Sequence, residues 1–201
     1  MISFERLSCY ANGTKLFSNL SFTALPSAIV CITGKNGTGK TSFLRMTAQI
    51  QKLNTDGRIL FGKNAVNIEM MQRPFCTYIG HNLGLKSELT VLDNLEYWSK
   101  IHSSSEALNA SICYFNLEHL LNKRCYELSI GNKKKVALSK LLSCQSNLWL
   151  LDEADSNLDI ENKELLDNLI KAKANNGGII IMTVHGNSNI ATSQKINIED
   201  Y

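Results

Sequence analysis

Residues 28–50 read AIVCITGKNGTGKTSFLRMTAQI. Residues 28–33 form a short β-branched apolar run, the pattern of a buried strand. The run feeds Gly34-Lys35-Asn36-Gly37-Thr38-Gly39-Lys40-Thr41, which fits G-x-x-x-x-G-K-[ST]. Residues 41–50 then read as a helix. Glycines in such a loop let backbone N–H groups turn inward and meet phosphate oxygens with no Cβ in the way. The helix that follows directs its positive end at the same point. In that geometry Lys40 reaches the β- and γ-phosphates, and Thr41 offers a hydroxyl to Mg²⁺. The eight loop residues and Ser42 are therefore expected to bind a nucleotide. A plain glycine turn is the alternative, and the flanking strand and helix speak against it.

Downstream, Leu148-Trp149-Leu150-Leu151-Asp152-Glu153 is an apolar strand ending in two acids. Such a strand delivers Asp152 to the edge of the sheet, where it can hold Mg²⁺ through water. Glu153 then lies where it can polarise an attacking water as a general base. An apolar run ending in Asp-Glu also describes a solvated strand end; the loop upstream favours the catalytic reading. His185 closes the next apolar strand. A histidine at the carboxyl end of a central strand points into the crevice where such sheets bind ligands, within reach of a γ-phosphate and its attacking water. Leu128-Ser129-Ile130-Gly131-Asn132 sets a Ser and a Gly at a helix start, 23 residues before Asp152. The Lys133-Lys134-Lys135 run reads as a solvated helix face rather than a lipid or nucleic-acid site.

Around these motifs, residues 2–9 and 16–24 read as strands joined at an Asn12-Gly13 turn. Asp56-Gly57 marks a turn before a strand at 58–61, residues 63–73 read as loop, and 76–79 is a short strand. From Leu89 the pattern becomes helical, with Thr90 as N-cap, and continues over 104–121 with a break near Asn116. Ser129 caps a helix to about Ser143, and a helix over 160–174 ends at Asn175-Asn176-Gly177-Gly178. Residues 147–151 and 178–184 are buried strands, and 195–199 alternates. The expected fold is α/β with a mainly parallel central sheet, an N-terminal antiparallel β part and an inserted helical part. A single domain over 1–201 is expected, with its core at 1–84 and 143–201 and a helical subdomain at 85–142.

The 201 residues are 44% apolar and 19% charged, with a net charge of +3, an ordinary globular composition. So small a charge suits an anionic ligand or an anionic membrane face and requires neither. The six cysteines, at 9, 31, 76, 113, 125 and 144, include no Cys-x-x-Cys pair. They read as buried, reduced thiols of a cytosolic protein rather than metal ligands. Glu5 and Arg6 fall where a signal peptide would be apolar. No apolar run approaches the ~20 residues a membrane span needs. The chain is expected to be neither secreted nor membrane-spanning, though able to dock on a membrane protein.

Taken in order, the loop at 34–41, the segment at 78–83, LSIGN at 128–132, the strand at 148–153, Ser156-Asn157-Leu158-Asp159 and His185 resemble the ATP-binding-cassette ATPases. The resemblance covers nearly the whole chain. It implies ATP and Mg²⁺ as cofactors, and a head-to-tail dimer in which Ser129 and Gly131 meet the γ-phosphate held by the partner's loop. Two blocks, LSCYANGTKLFSNLSF and YIGHNLGLKSELTVLDNL, are similar to ATP-binding subunits of cytochrome c maturation (haem exporter) transporters. That likeness implies integral membrane partners of the cytochrome c maturation system and no nucleic acid. It also implies a peripheral place on the cytoplasmic face of a bacterial inner membrane, or the matrix face of an organellar one. His81 aligns where most cassettes carry glutamine, so the resemblance implies His81, or Asn82 beside it, as a Mg²⁺ contact. Tyr10 aligns near the aromatic residue that stacks on adenine. Asn132 stands in place of the usual glutamine and Ala154 in place of the usual proline. Three other readings remain open at this point: a soluble cassette ATPase that remodels an assembly such as an iron–sulfur system, a small-molecule kinase, and a nucleotide-gated binding module. A kinase would have no use for LSIGN.

Overall fold

The computed structural model describes the chain except for residues 12, 52–56, 63, 66–74, 102–104, 145 and 185–189. Its strands are β1 (Ile2–Ala11), β2 (Thr14–Ala24), β3 (Ile29–Thr33), β4 (Arg58–Phe61), β5 (Asn64–Ala65), β6 (Cys76–Ile79), β7 (Leu148–Asp152), β8 (Ile179–Thr183) and β9 (Gln194–Asn197). Its helices are α1 (Lys40–Thr47), α2 (Val91–Ile101), α3 (Ser105–Tyr114), α4 (Ile130–Leu138), α5 (Lys140–Ser143) and α6 (Ile160–Asn175).

Two sheets organise these elements. An antiparallel sheet runs β2-β1-β4-β5, and a parallel sheet runs β6-β7-β8-β3-β9. Every residue of β7 and β8 is buried, which is why both segments are continuous apolar runs in sequence. Their side chains alternate between two cores. Leu148, Leu150, Ile179 and Ile181 face the antiparallel sheet and α1. Trp149, Leu151, Ile180 and Met182 face the inserted helices and α6. Phe43 of α1 sits among Phe4, Phe17 and Phe22 of the β1–β2 hairpin, with ring centroids 5.1, 6.4 and 6.0 Å away. This aromatic cluster seats the first turn of α1, and with it the loop that precedes the helix.

Several boundaries differ from the sequence expectation for local reasons. Helix α1 stops at Thr47 rather than Ile50, because Gln49 takes a left-handed conformation (φ 58°). Gln49 N–H donates to Met46 O (3.0 Å) and Ile50 N–H to Arg45 O (2.9 Å). That is a Schellman ending with glutamine where glycine is usual, so the usual stop signal is missing from the sequence. The helix expected to run from Ser129 to Ser143 is interrupted at Ser139, whose Oγ donates to Val136 O (2.6 Å) and competes with the backbone ladder. The helix expected over 104–121 ends at Tyr114, and Asn116 (φ 51°) leads into a 3₁₀ turn at Glu118–Leu120. Within the expected loop 63–73, Asn64 and Ala65 pair with β4, and the rest lies outside the described residues. Thr90 caps α2 as expected, its Oγ1 accepting from Asp93 N–H (3.1 Å).

The six cysteines carry no disulfide. Four are buried and Cys76 is half-buried, its thiol pushed up to about 12 by desolvation. Cys113, expected to be buried, is exposed on α3.

Candidate functional site

The phosphate loop leaves β3 at Gly34 and enters α1 at Lys40. Gly34, Gly37 and Gly39 have φ of 142°, 84° and 102°, values L side chains rarely adopt. At Gly39 a Cβ would lie 3.1 Å from Leu16 Cβ and from the Phe17 ring, so glycine here also lets the β1–β2 hairpin close on the loop. Lys40 is 8% exposed. Its ammonium donates to Gly34 O (2.7 Å) and Lys35 O (2.8 Å), which centres the charge inside the loop. Thr38 Oγ1 donates to Lys35 O (2.9 Å). Glu199 accepts Lys35 N–H and pairs with Lys35 Nζ at 3.6 Å.

A cavity of about 400 Å³ opens over this loop. Asn36, Gly37, Gly39, Lys40, Thr41 and Ser42 line one side, and Leu16, His81 and Glu153 complete it. The parallel sheet brings the last two there: His81 follows β6, Glu153 follows β7, and β6 pairs with β7. Glu153 Oε2 stands 3.4 Å from His81 Nε2.

Asp152 is 1% exposed. Its Oδ1 accepts from Thr183 Oγ1 (2.8 Å) and its Oδ2 from Tyr78 OH (3.4 Å). Burial and the Asp152 charge together push the Tyr78 phenol up, so the hydroxyl keeps the proton it donates. Thr183 Oγ1 in turn accepts Glu153 N–H (3.0 Å). Glu153 itself has φ 50°. Its carbonyl accepts from Ser156 N–H (3.1 Å) and Lys134 Nζ (3.0 Å).

Ser129 caps α4 by accepting Asn132 N–H on its Oγ (3.2 Å), which leaves the hydroxyl proton free to be donated elsewhere. At Gly131 a Cβ would come within 3.1 Å of Asn157 O, so a bare backbone is needed for this close approach. Neither Ser129 nor Gly131 lines the cavity over the chain's own loop. Tyr10 is 47% exposed and pairs with Lys15 across the hairpin; it too is outside the cavity lining. His185 lies outside the described residues.

Sequence reasoning missed Thr183, Tyr78 and Glu199, which carry no motif, and it misread Lys134. Expected on a solvated face, Lys134 is 5% exposed. The error came from reading three lysines as a block. At helical spacing Lys134 falls with Leu138 and Leu141 on the buried side. Burial pushes its ammonium down, opposed by the charges of Asp155, Asp152 and Glu153.

A phosphate loop feeding a helix beneath a parallel sheet, with a buried acid at the end of β7, two strands from β3, and a separate capped helix start, defines a P-loop ATPase of the cassette type. Residues 17–156 match the ABC transporter family, and the chain belongs to it. Among named relatives it is similar to the cytochrome c biogenesis ATP-binding export protein CcmA of Rickettsia bellii. The two are 50% identical over 198 residues, covering 98% of this chain and 100% of that one. CcmA of Wolbachia pipientis wMel is 39% identical, over 94% of this chain and 91% of that one. In fold the chain is similar to a putative ABC transporter ATP-binding protein from Pyrococcus furiosus, at TM-score 0.83 and 18% identity over 100% of this chain and 98% of that one. A second likeness of fold is to the ATP-binding cassette MJ0796, in a dimeric post-hydrolysis state with ADP and Pi. Its TM-score is 0.81 at 18% identity, over 92% of this chain and 88% of that one.

Proposed function

We propose that this chain is the ATP-binding and hydrolysing subunit of a membrane export complex serving cytochrome c maturation, with haem as the cargo class. The observation that carries the hydrolytic reading is that Glu153 and the phosphate loop share one cavity. The full-length likeness to CcmA proteins supports the export reading. No helix among the described residues is long and apolar enough to cross a membrane, so integral subunits would supply the transport path. A peripheral place on the cytoplasmic face, or the matrix face in an organelle, follows from that reading.

In this reading the loop N–H groups and Lys40 hold the β- and γ-phosphates, and Tyr10 stacks on adenine from the hairpin rim. Thr41 and Asp152 suit Mg²⁺, a hard cation that takes oxygen donors and keeps several waters. The fit rests on the donor set: a hydroxyl on the cavity wall and a buried carboxylate at the end of β7. When bound, Mg²⁺ neutralises charge on the β- and γ-oxygens. Glu153 accepts a proton from the attacking water, and His185 hydrogen-bonds the γ-phosphate. His81 stands beside Glu153 at the same mouth. Ser129 and Gly131 serve the ATP held by a second copy, head to tail, since they do not line their own cavity.

The test is phosphate release by the chain assembled with its membrane subunits. Turnover is expected in the wild type, with Glu153→Gln binding ATP but not hydrolysing it. Wild-type turnover by Glu153→Gln would refute the role of that carboxylate. Recovery of the chain with soluble partners alone would favour an assembly-remodelling ATPase.

A further inference from the structure

Lys134 is a buried cation that the proposed hydrolysis does not use. It sits in the second turn of α4, the helix that Ser129 caps. Its Nζ donates to Glu153 O (3.0 Å) and to Ser156 Oγ (3.4 Å). Both acceptors belong to the turn that follows β7, and that turn is strained. Glu153 at φ 50° and Asn157 at φ 60° are left-handed without being glycine, a conformation that costs roughly 1–2 kcal/mol per residue. Such a turn persists only where its surroundings hold it. Here the Glu153 amide is held by Thr183 and its carbonyl by Lys134 and Ser156. With both peptide groups pinned, the direction in which Glu153 leaves the backbone is set, and Glu153 Oε2 reaches the cavity mouth beside His81.

We propose that Lys134 is a positioning residue for hydrolysis, holding the Glu153 carbonyl and the Ser156 hydroxyl so that the carboxylate faces the γ-phosphate. This rests on the ATPase reading above. It gives α4 two duties. The N-terminal end of the helix presents Ser129 to a second copy's nucleotide, while Lys134, further along, steadies the base at the chain's own nucleotide. Movement of α4 against the β7 turn therefore bears on both sites at once. The paired acceptors are a carbonyl and a hydroxyl, so the tie needs a donor.

The experiment compares wild type, Lys134→Met, Lys134→Arg and Ser156→Ala in the assembled complex, with Glu153→Gln as reference. ATP turnover, KM and the lifetime of the ATP-bound dimer are measured. Lys134→Met is expected to lower kcat about tenfold or more, since a small misplacement of a catalytic group is costly. Its KM should stay within about twofold, and its ATP-bound dimer should outlast that of the wild type, as in Glu153→Gln, because the lost interaction acts on chemistry rather than binding. Lys134→Arg should recover most of the rate, and Ser156→Ala should cost less than Lys134→Met. Unchanged kcat in Lys134→Met overturns the proposal, as does a loss of ATP-dependent dimer in proportion to the loss of rate. Should Lys134→Met not fold, the Arg and Ala variants decide: a rate in Lys134→Arg no better than that of Glu153→Gln, with dimer intact, overturns it. A wild type without turnover refutes the ATPase reading instead, so the two failures are distinct.

Discussion

His81 Nε2 lies 3.4 Å from Glu153 Oε2 across the mouth of the phosphate-loop cavity. The two residues are 72 positions apart in sequence, and parallel pairing of β6 with β7 brings them together. The His81 side chain is 62% exposed, so the contact contributes little to folding; in the proposed hydrolysis it would orient the carboxylate. His81→Ala is expected to reduce kcat about three- to tenfold, well short of the loss from removing a general base, while leaving ATP affinity within about twofold. His81→Gln, which keeps an N–H donor, should retain most of the rate. Phosphate release and binding of a fluorescent ATP analogue measure both quantities, and equal losses in the two variants would exclude the orienting role.

Thr183 is fully buried and its hydroxyl joins Asp152 Oδ1 to Glu153 N–H. Thr183→Val keeps the shape but strips the buried carboxylate of a donor. A cost of about 1–2 kcal/mol is expected in urea unfolding, because an acceptor is left unsatisfied. Turnover should fall further than stability alone explains, because the same hydroxyl orients both acids. Glu153 N–H keeps its bond to Thr183 O, so the fold should survive.

Gln49 holds a left-handed conformation at the end of α1. Glycine there avoids the Cβ penalty while preserving both terminal hydrogen bonds. Gln49→Gly is expected to stabilise the chain by about 0.5–1 kcal/mol, seen as a higher thermal midpoint. Destabilisation would mean that the glutamine side chain makes a contact worth more than the strain.

Lys140 is 6% exposed, donates to Leu83 O (2.6 Å) and lies 4.2 Å above the Trp98 ring. Burial brings its pKa from 10.5 down to about 8, against weaker support from Cys144. The folded value is the lower one, so between about pH 8 and 10.5 the unfolded chain binds the extra proton. Stability attributable to this residue therefore rises with pH across that window. Below it the full cost of a buried cation is present. Relative to Lys140→Met, which has no such group, the wild type should gain on the order of 3 kcal/mol from pH 7 to pH 10.5. Denaturant midpoints for both proteins at the two pH values give the difference directly; a flat difference would mean Lys140 titrates alike in both states.

The site was legible in sequence wherever one short segment carries the chemistry. The phosphate loop works through its own backbone, so its pattern must be contiguous. The Asp152-Glu153 pair ends a strand buried on both faces, which the apolar run announces. Ser129 was readable because an N-cap is a local device. Strand periodicity likewise foretold both sheets.

What stayed hidden depends on packing between distant segments. No spacing rule places Thr183 on Asp152, Glu199 on Lys35 or Leu83 on Lys140; pairing of parallel strands and docking of helices do. The end of α1 escaped because strain at Gln49 is tolerated only when the surrounding structure holds it. Lys134 escaped because charge in a sequence reads as solvent exposure, whereas a helix buries one side whatever its residues. Local chain chemistry thus settled the class of ligand and the elements that hold it. Three-dimensional packing settled which side chains meet at Asp152 and Glu153, because only there do distances between distant residues exist.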